Sequence, residues 1–380
     1  MDRSRPAVIA AHGLFALLLL SLPPKWASLH ISGGLLVLAL LLARRGDWRR
    51  PALRGYLAAS AGWLVPVTLA GIGQQFIGME TASSWADLVK LNLRLLGVGL
   101  GILLLLERGW LSLRGAVWIA LAALAVTALS GHIDWLQRHG TDLQAWPRPY
   151  FTGLAGNPNP YGSFAALGLI LSAGLLRARP SNVGLWLLAA LLLSALWGSD
   201  SRGAVLASLT GLLVLFWPWR HRLLAGLALL AIALVYTYVL TGGIPADELG
   251  SGDQRRIEAA WFALHRILES PLLGWGIDAF RDLPGAPLNS PHNLLLDLAL
   301  GGGLLALAGW LWSTGRLALR LERDGRGETR LMLALLAAAV VAGCIEYPLL
   351  NSTHFLNIWM LVTVFAWGVL RGSRPEHRPG

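Results

Sequence analysis

The chain has 380 residues, of which 55% are hydrophobic and 14% charged, whereas soluble domains carry about a quarter charged residues. Its net charge of +10 is dispersed as short arginine clusters between apolar blocks, which is how membrane orientation signals are arranged and argues against a nucleic-acid partner. The one cysteine, Cys344, excludes an internal disulfide and a cysteine-built metal site.

From the N-terminus, "MDRSR" precedes an apolar block that resembles a signal peptide. "SLPPKWAS" is a poor cleavage site, however, because Lys25 occupies a position that wants a small neutral residue, so the block is read as a retained helix. A bilayer span needs ~20 mostly apolar residues. Blocks of this kind place twelve spans at 7–22, 27–43, 55–73, 91–106, 116–131, 160–176, 182–197, 203–217, 223–241, 293–313, 331–347 and 354–370. The expected fold is all-α, a polytopic membrane protein of about 12 transmembrane helices forming a single integral membrane domain over 1–380. With the N-terminus inside, the inner segments hold 21 of the 31 basic residues, which puts both termini in the cytoplasm.

The basic residues left outside are the anomaly. Arg202, Arg255, Arg256, Arg266 and Arg281 fall in two outer segments; any one could snorkel or pair at a membrane edge, but together they suggest an anion site. "TGLAGNPNPYGSFAAL", with Asn159, opens the sixth span. "WGSDSRGAVLASL" holds Ser199, Asp200, Ser201 and Arg202 in a short turn before the eighth span. That turn keeps Arg202 at membrane level, where a lipid-linked phosphate would sit, although an internal Asp200–Arg202 pair is also possible.

Residues 242–292 are the longest hydrophilic stretch. Within it "QRRIEAAWFALHRILES" has the periodicity of an amphipathic helix, with Ile257, Ala260, Trp261, Leu264, Ile267 and Leu268 on its apolar stripe. Arg256 heads that stripe and points toward protein or lipid, whereas Arg255 leads the wetter face, so Arg256 is the favoured functional residue. Trp275 and Phe280 suit interfacial anchors. Asp278 and Asp282 are too few to suggest a metal site, and no metal or other cofactor is expected.

The tenth span opens with "NSPHNLLLDLALGGG". Ser290 suits the N-cap and Pro291 the first helical position, which places His292 and Asn293 in the first turn. The positive helix end disfavours an imidazolium, leaving a neutral imidazole that can act as a general base. Beside arginines that bind phosphate oxygens, this suits transfer of a group from a pyrophosphate onto a hydroxyl. The simpler alternative is a histidine at a helix start with no chemical role. At the outer end of the eleventh span, "GCIEYPLL" presents Glu346, either an acceptor-binding carboxylate or a buried partner for an arginine.

Four of these stretches, spread over roughly residues 150–370, together resemble the O-antigen ligase and O-antigen polymerase superfamily of bacterial membrane glycosyltransferases. They are the Asn-Pro-Asn segment, the Ser-Arg-Gly-Ala turn, the arginine-headed helix followed by Pro-Leu-Leu-Gly-x-Gly, and the His-Asn helix opening. The resemblance implies a GT-C-like fold in the bacterial inner membrane and transfer of a glycan from undecaprenyl pyrophosphate to a periplasmic acceptor, with inversion and without a metal. Carried onto this sequence, it implies donor pyrophosphate binding by Arg202 and Arg256, with Arg255 as the alternative, and catalysis by His292. Asn293, Glu346 and Asn159 are implied as acceptor or support residues. The expected acceptor is lipid A–core; a growing polysaccharide or a protein is the alternative, the latter because "EYPLL" resembles the protein-glycosylating branch. A reading from a different class is a flippase for a lipid-linked sugar, but the polar groups gather at the outer face and no related halves are seen.

Overall fold

The computed structural model describes residues 5–24, 27–41, 43–77, 85–140, 150–216 and 251–370. Among these the structure is helical, without strands: α1 (Arg5–Ser21), α2 (Ala27–Leu41), α3 (Pro51–Ile77), α4 (Trp85–Asn92), a π-helical stretch Leu93–Val98 running into α5 (Gly99–Arg108), and α6 (Leu113–His139). Then follow α7 (Pro158–Ala178), α8 (Val183–Gly198), α9 (Arg202–Phe216), α10 (Ser251–Glu269), the single turn α11 (Ala279–Asp282), α12 (Leu294–Asp324), α13 (Gly327–Ile345) and α14 (Thr353–Leu370).

This is a polytopic membrane protein. Among the described residues, seven helices are long and apolar enough to cross a bilayer, counting Trp85–Arg108 as one, and α1, α8 and α9 are shorter apolar helices. The expected ninth span, 223–241, and residues 242–250 lie outside the described residues. The remaining expected spans each fall on a helix.

Local chemistry sets many of the boundaries. Ser112 caps α6 by accepting from Gly115 N at 3.0 Å, and Asn182 caps α8 by accepting from Leu185 N at 3.1 Å. Asn157 caps α7 by accepting from Asn159 N at 3.0 Å, with Pro158 at the first helical position. In the bundle α7 packs against α8 and α9, α9 against α13, and α13 against α14, while α3 lies along α12. The α3–α12 crossing is close because Gly62 and Gly309 face each other, and a Cβ on Gly309 would overlap the Gly62 carbonyl.

The expected tenth span is broken. α12 departs from helical geometry at Gly302 (φ −133°, ψ 16°) and Gly303 (φ 69°, ψ −174°). The backbone groups freed there are taken up by the connection from α10: Trp275 N donates to Leu300 O at 2.6 Å, Gly276 N to Gly301 O at 2.9 Å, and Leu304 N to Pro271 O at 2.7 Å. Without such partners a break at membrane depth would leave bare polar groups in hydrocarbon.

The same connection explains two further differences from expectation. Phe280 is not an interfacial anchor, because it is fully buried, while Trp275 is half-buried and its Nε1 donates to Arg266 O at 2.7 Å. The face α10 turns inward is Ala259, Ala263 and Ile267, packed with Phe280, Leu283, Ala299 and Leu300. Trp261, Leu264 and Leu268 of the expected stripe stay exposed, Leu268 at 76%. The two small alanines let α10 come close to its neighbours, and the bulkier residues are left outside.

Gly303 carries a sharp prediction. Its φ is positive and an added Cβ would overlap Leu272 O, so Gly303→Ala should lower stability by at least ~1–2 kcal/mol. Gly315 of the same helix has nothing within 4 Å, and Gly315→Ala should leave the melting temperature in detergent unchanged or slightly raised.

Candidate active site

Three connections meet at one end of the bundle. The first joins α8 to α9. It is a three-residue turn, Ser199–Ser201, tighter than expected, and Arg202 is the first residue of α9. Ser201 Oγ accepts from Ala204 N at 3.2 Å and donates to Glu346 Oε2 at 2.8 Å. Ser201 and Glu346 are both buried, and Arg202 is exposed. Gly203 lets the turn lie against the carboxylate, since a Cβ there would stand 2.7 Å from Glu346 Oε2.

The second connection, from α13 to α14, carries Glu346 as the residue just after α13, followed by Tyr347. Asp297, buried in the first turn of α12, holds it in place: Oδ2 accepts from Leu350 N at 2.6 Å and Oδ1 from Asn351 Nδ2 at 2.9 Å. Tyr347 stacks on Phe355 with ring centroids 5.3 Å apart, and its hydroxyl accepts from Ser163 Oγ at 3.2 Å.

The third leads into α12 and corrects the sequence expectation. The helix starts at Leu294, not at Pro291, and Asn293 is its N-cap: Oδ1 accepts from Leu295 N at 2.9 Å and Leu296 N at 3.1 Å. Its Nδ2 donates to Cys344 O at 2.6 Å. His292 therefore precedes the helix and takes a left-handed conformation with φ 49°. An Asn outcompetes Ser290 as cap because its amide both accepts from the helix and donates to α13.

His292 Nδ1 lies 3.3 Å from Glu346 O. A carbonyl oxygen only accepts, so Nδ1 carries the proton, and in the neutral ring Nε2 keeps its lone pair. Burial holds the imidazole pKa below its ordinary value, and the positive charge of Arg256 lowers it further, against the opposing hydrogen bond to Glu346 O. The neutral imidazole expected from the helix macrodipole is thus favoured mainly by burial, and then by Arg256. Burial raises the Glu346 carboxyl, opposed by the Ser201 hydroxyl, Arg256 and Arg202. The Tyr347 phenol is raised well above its usual value, first by burial and then by Glu346.

The five outer arginines therefore separate. Arg202 and Arg256 act on the Glu346 carboxyl, and Arg256 also on His292. Arg256 is half-buried at the head of the Ala259–Ala263–Ile267 face, while Arg255 is exposed. Arg266 Nη1 pairs with Glu269 Oε2 at 2.9 Å, and Arg281 Nε with Asp282 Oδ1 at 3.1 Å, each neutralised locally. Asn159 lies half-buried in the first turn of α7, and among the described hydrogen bonds none ties its side chain to His292 or Glu346.

Ser201, Tyr347 and Asp297 belong to this arrangement without having been singled out in the sequence. Ser201 and Tyr347 each adjoin a residue that was, Arg202 and Glu346, and Asp297 is an acid in an apolar run; these were the available signals.

The role of Asn293 can be separated from that of His292. Asn293→Ala removes a cap and a tie between α12 and α13, so stability in detergent should fall by about 1–2 kcal/mol. Asn293→Asp keeps the cap acceptor and should recover part of that loss, measured by thermal unfolding.

Part of the chain is similar to known proteins. Residues 187–311 match the family model described as O-antigen ligase, a segment that contains Arg202, Arg255, Arg256, His292 and Asn293. The chain is 29% identical over 270 residues to an O-antigen ligase of Pseudomonas aeruginosa, covering 66% of this chain and 63% of that relative. The match thus spans less than two thirds of the relative's length. Over these segments this polytopic membrane protein is thus similar to O-antigen ligases.

Proposed function

We propose that the protein is a membrane glycosyltransferase that moves a glycan from undecaprenyl pyrophosphate to an acceptor hydroxyl on the periplasmic side of the bacterial inner membrane, with lipid A–core as the acceptor. The observation that carries this reading is the hydrogen bond between His292 Nδ1 and Glu346 O. It leaves Nε2 as a proton acceptor within the electrostatic reach of Arg256.

In this reading Arg202 and Arg256 bind the donor's pyrophosphate oxygens, where planar guanidinium groups are suited to multidentate contact. The acceptor oxygen attacks the anomeric carbon while the bond from that carbon to the phosphate oxygen breaks. His292 Nε2 takes the hydroxyl proton, and the electron pair of the broken bond leaves on undecaprenyl pyrophosphate, where the arginines stabilise the growing charge. A single displacement of this kind inverts the anomeric centre. Glu346 is the support of the arginine pair, because its Oε2 is engaged by Ser201 in a buried setting. Asn293 keeps the backbone after His292 fixed, and Arg255 is left outside the site.

Reconstitution with undecaprenyl-pyrophosphate glycan and three acceptors (core lipid, free repeat unit and a protein) tests the reading. Glycan should appear on core lipid as undecaprenyl pyrophosphate is released. Glycan on another acceptor would reassign the branch, and translocation without a new glycosidic bond would make the protein a flippase. His292→Ala should lower the rate ~10²–10⁴-fold with the fold intact. Arg256→Gln should lose far more activity than Arg255→Gln.

The pH profile provides a separate check. Because the folded-state pKa of His292 is depressed, the base form already predominates at neutral pH, and activity should fall only as pH drops below the ordinary histidine range. Removing the neighbouring positive charge in Arg256→Gln makes the imidazolium easier to form. The acidic limb should therefore move to higher pH. A limb that stays in place would contradict the coupling.

A further inference from the structure

A second basic site lies at the other end of the same helices. Ser163, Arg202 and Glu346 lie near the start of α7, the start of α9 and the end of α13. A cavity of about 530 Å³ is lined instead by the end of α7 (Arg177, Arg179), the end of α9 (Leu215) and the start of α13 (Glu328). Arg114 from the start of α6 and Val369 from the end of α14 complete it.

Three arginines therefore share a cavity with one carboxylate, Glu328. Among the described residues no ion pair forms to Arg114, Arg177 or Arg179. Arg177 Nη1 donates to Leu215 O at 3.1 Å, which holds its guanidinium at the end of α9. All three side chains belong to exposed residues. The rest of the lining is mostly apolar, with Val117, Leu175, Leu331 and Met332 among it. A net positive rim above an apolar floor, set where helices end, is complementary to an amphiphile with an anionic head. A soluble phosphate would use the rim and leave the floor wet.

We propose that this cavity binds an anionic phospholipid, its phosphate held by Arg114, Arg177 and Arg179 and an acyl chain lying on the Leu175–Leu331–Met332 floor. The arginine distribution places this end of the bundle at the cytoplasmic leaflet, where basic pockets between helices meet anionic headgroups. The site is separate from the His292 end and does not depend on the transfer reaction.

The test uses the full-length protein in detergent. Native mass spectrometry would follow retention of phosphatidylglycerol against phosphatidylethanolamine, and thermal unfolding would compare phosphatidylglycerol with inorganic phosphate. Phosphatidylglycerol should be retained preferentially, with affinity falling roughly fivefold for each arginine removed in the Arg114→Gln, Arg177→Gln, Arg179→Gln series. Arg179→Glu, which reverses the charge of an exposed side chain at the end of α7, should weaken phosphatidylglycerol retention more than Arg179→Gln. Equal retention of both lipids, unchanged binding by Arg179→Glu, or stabilisation by inorganic phosphate as large as that by the lipid would overturn the proposal.

Discussion

Backbone amides and carbonyls inside a bilayer must find partners within the protein, and in this molecule that constraint is most acute at the break in α12. Gly302 and Gly303 interrupt the helix, and the 271–276 connection pairs with the backbone on both sides of the interruption through Leu300 O, Gly301 O and Leu304 N. The pairing fixes the end of α10 against α12. The Ala259–Ala263–Ile267 face packs on Ala299 and Leu300 of α12 as well, and Arg256 lies on the same helix. An unbroken α12 would leave the connection without these partners.

The other half of the site depends on the short connection after α13. Glu346 contributes twice, through its carbonyl to His292 and through its carboxyl to Ser201, with Arg202 and Arg256 in electrostatic reach. Asp297 holds the residues that follow, and Asn293 joins the start of α12 to the end of α13. In the proposed reaction one residue, Glu346, therefore bears on both the histidine and the arginines, and hydrogen bonds tie the residues around it. Such pre-organisation is worth most in a site shielded from water, where fixed dipoles and charges act with little screening.

Much of this was visible in the sequence. Apolar blocks located the helices because a span must be continuously apolar, and His292, Arg202, Arg256 and Glu346 stood out as polar groups at the same side of a greasy chain. Helical spacing favoured Arg256 over Arg255 because Arg256 heads the Ala260–Leu264 stripe, whereas in the structure Arg256 is half-buried and Leu264 of that stripe is exposed. What periodicity could not give was the choice between two apolar faces of α10. A hydropathy pattern favours Trp261, Leu264 and Leu268, whereas packing rewarded the small face that allows close approach. The helix start was misplaced for a related reason. Ser290 and Pro291 form a good local start, but Asn293 also reaches Cys344 O, 51 residues away. Ser201 and Asp297 likewise act through long-range contacts that no local pattern encodes.

The central claim is that Arg202, Arg256 and His292 surround the donor's pyrophosphate and reacting carbon. A cryo-EM structure of the full-length protein bound to an undecaprenyl-pyrophosphate glycan tests it most directly. The account predicts phosphate density between the guanidinium groups of Arg202 and Arg256, with the anomeric carbon on the side of His292 Nε2 and the Nδ1 contact to Glu346 O retained. Phosphate density elsewhere, or a histidine turned to present Nδ1 to the donor, would contradict it.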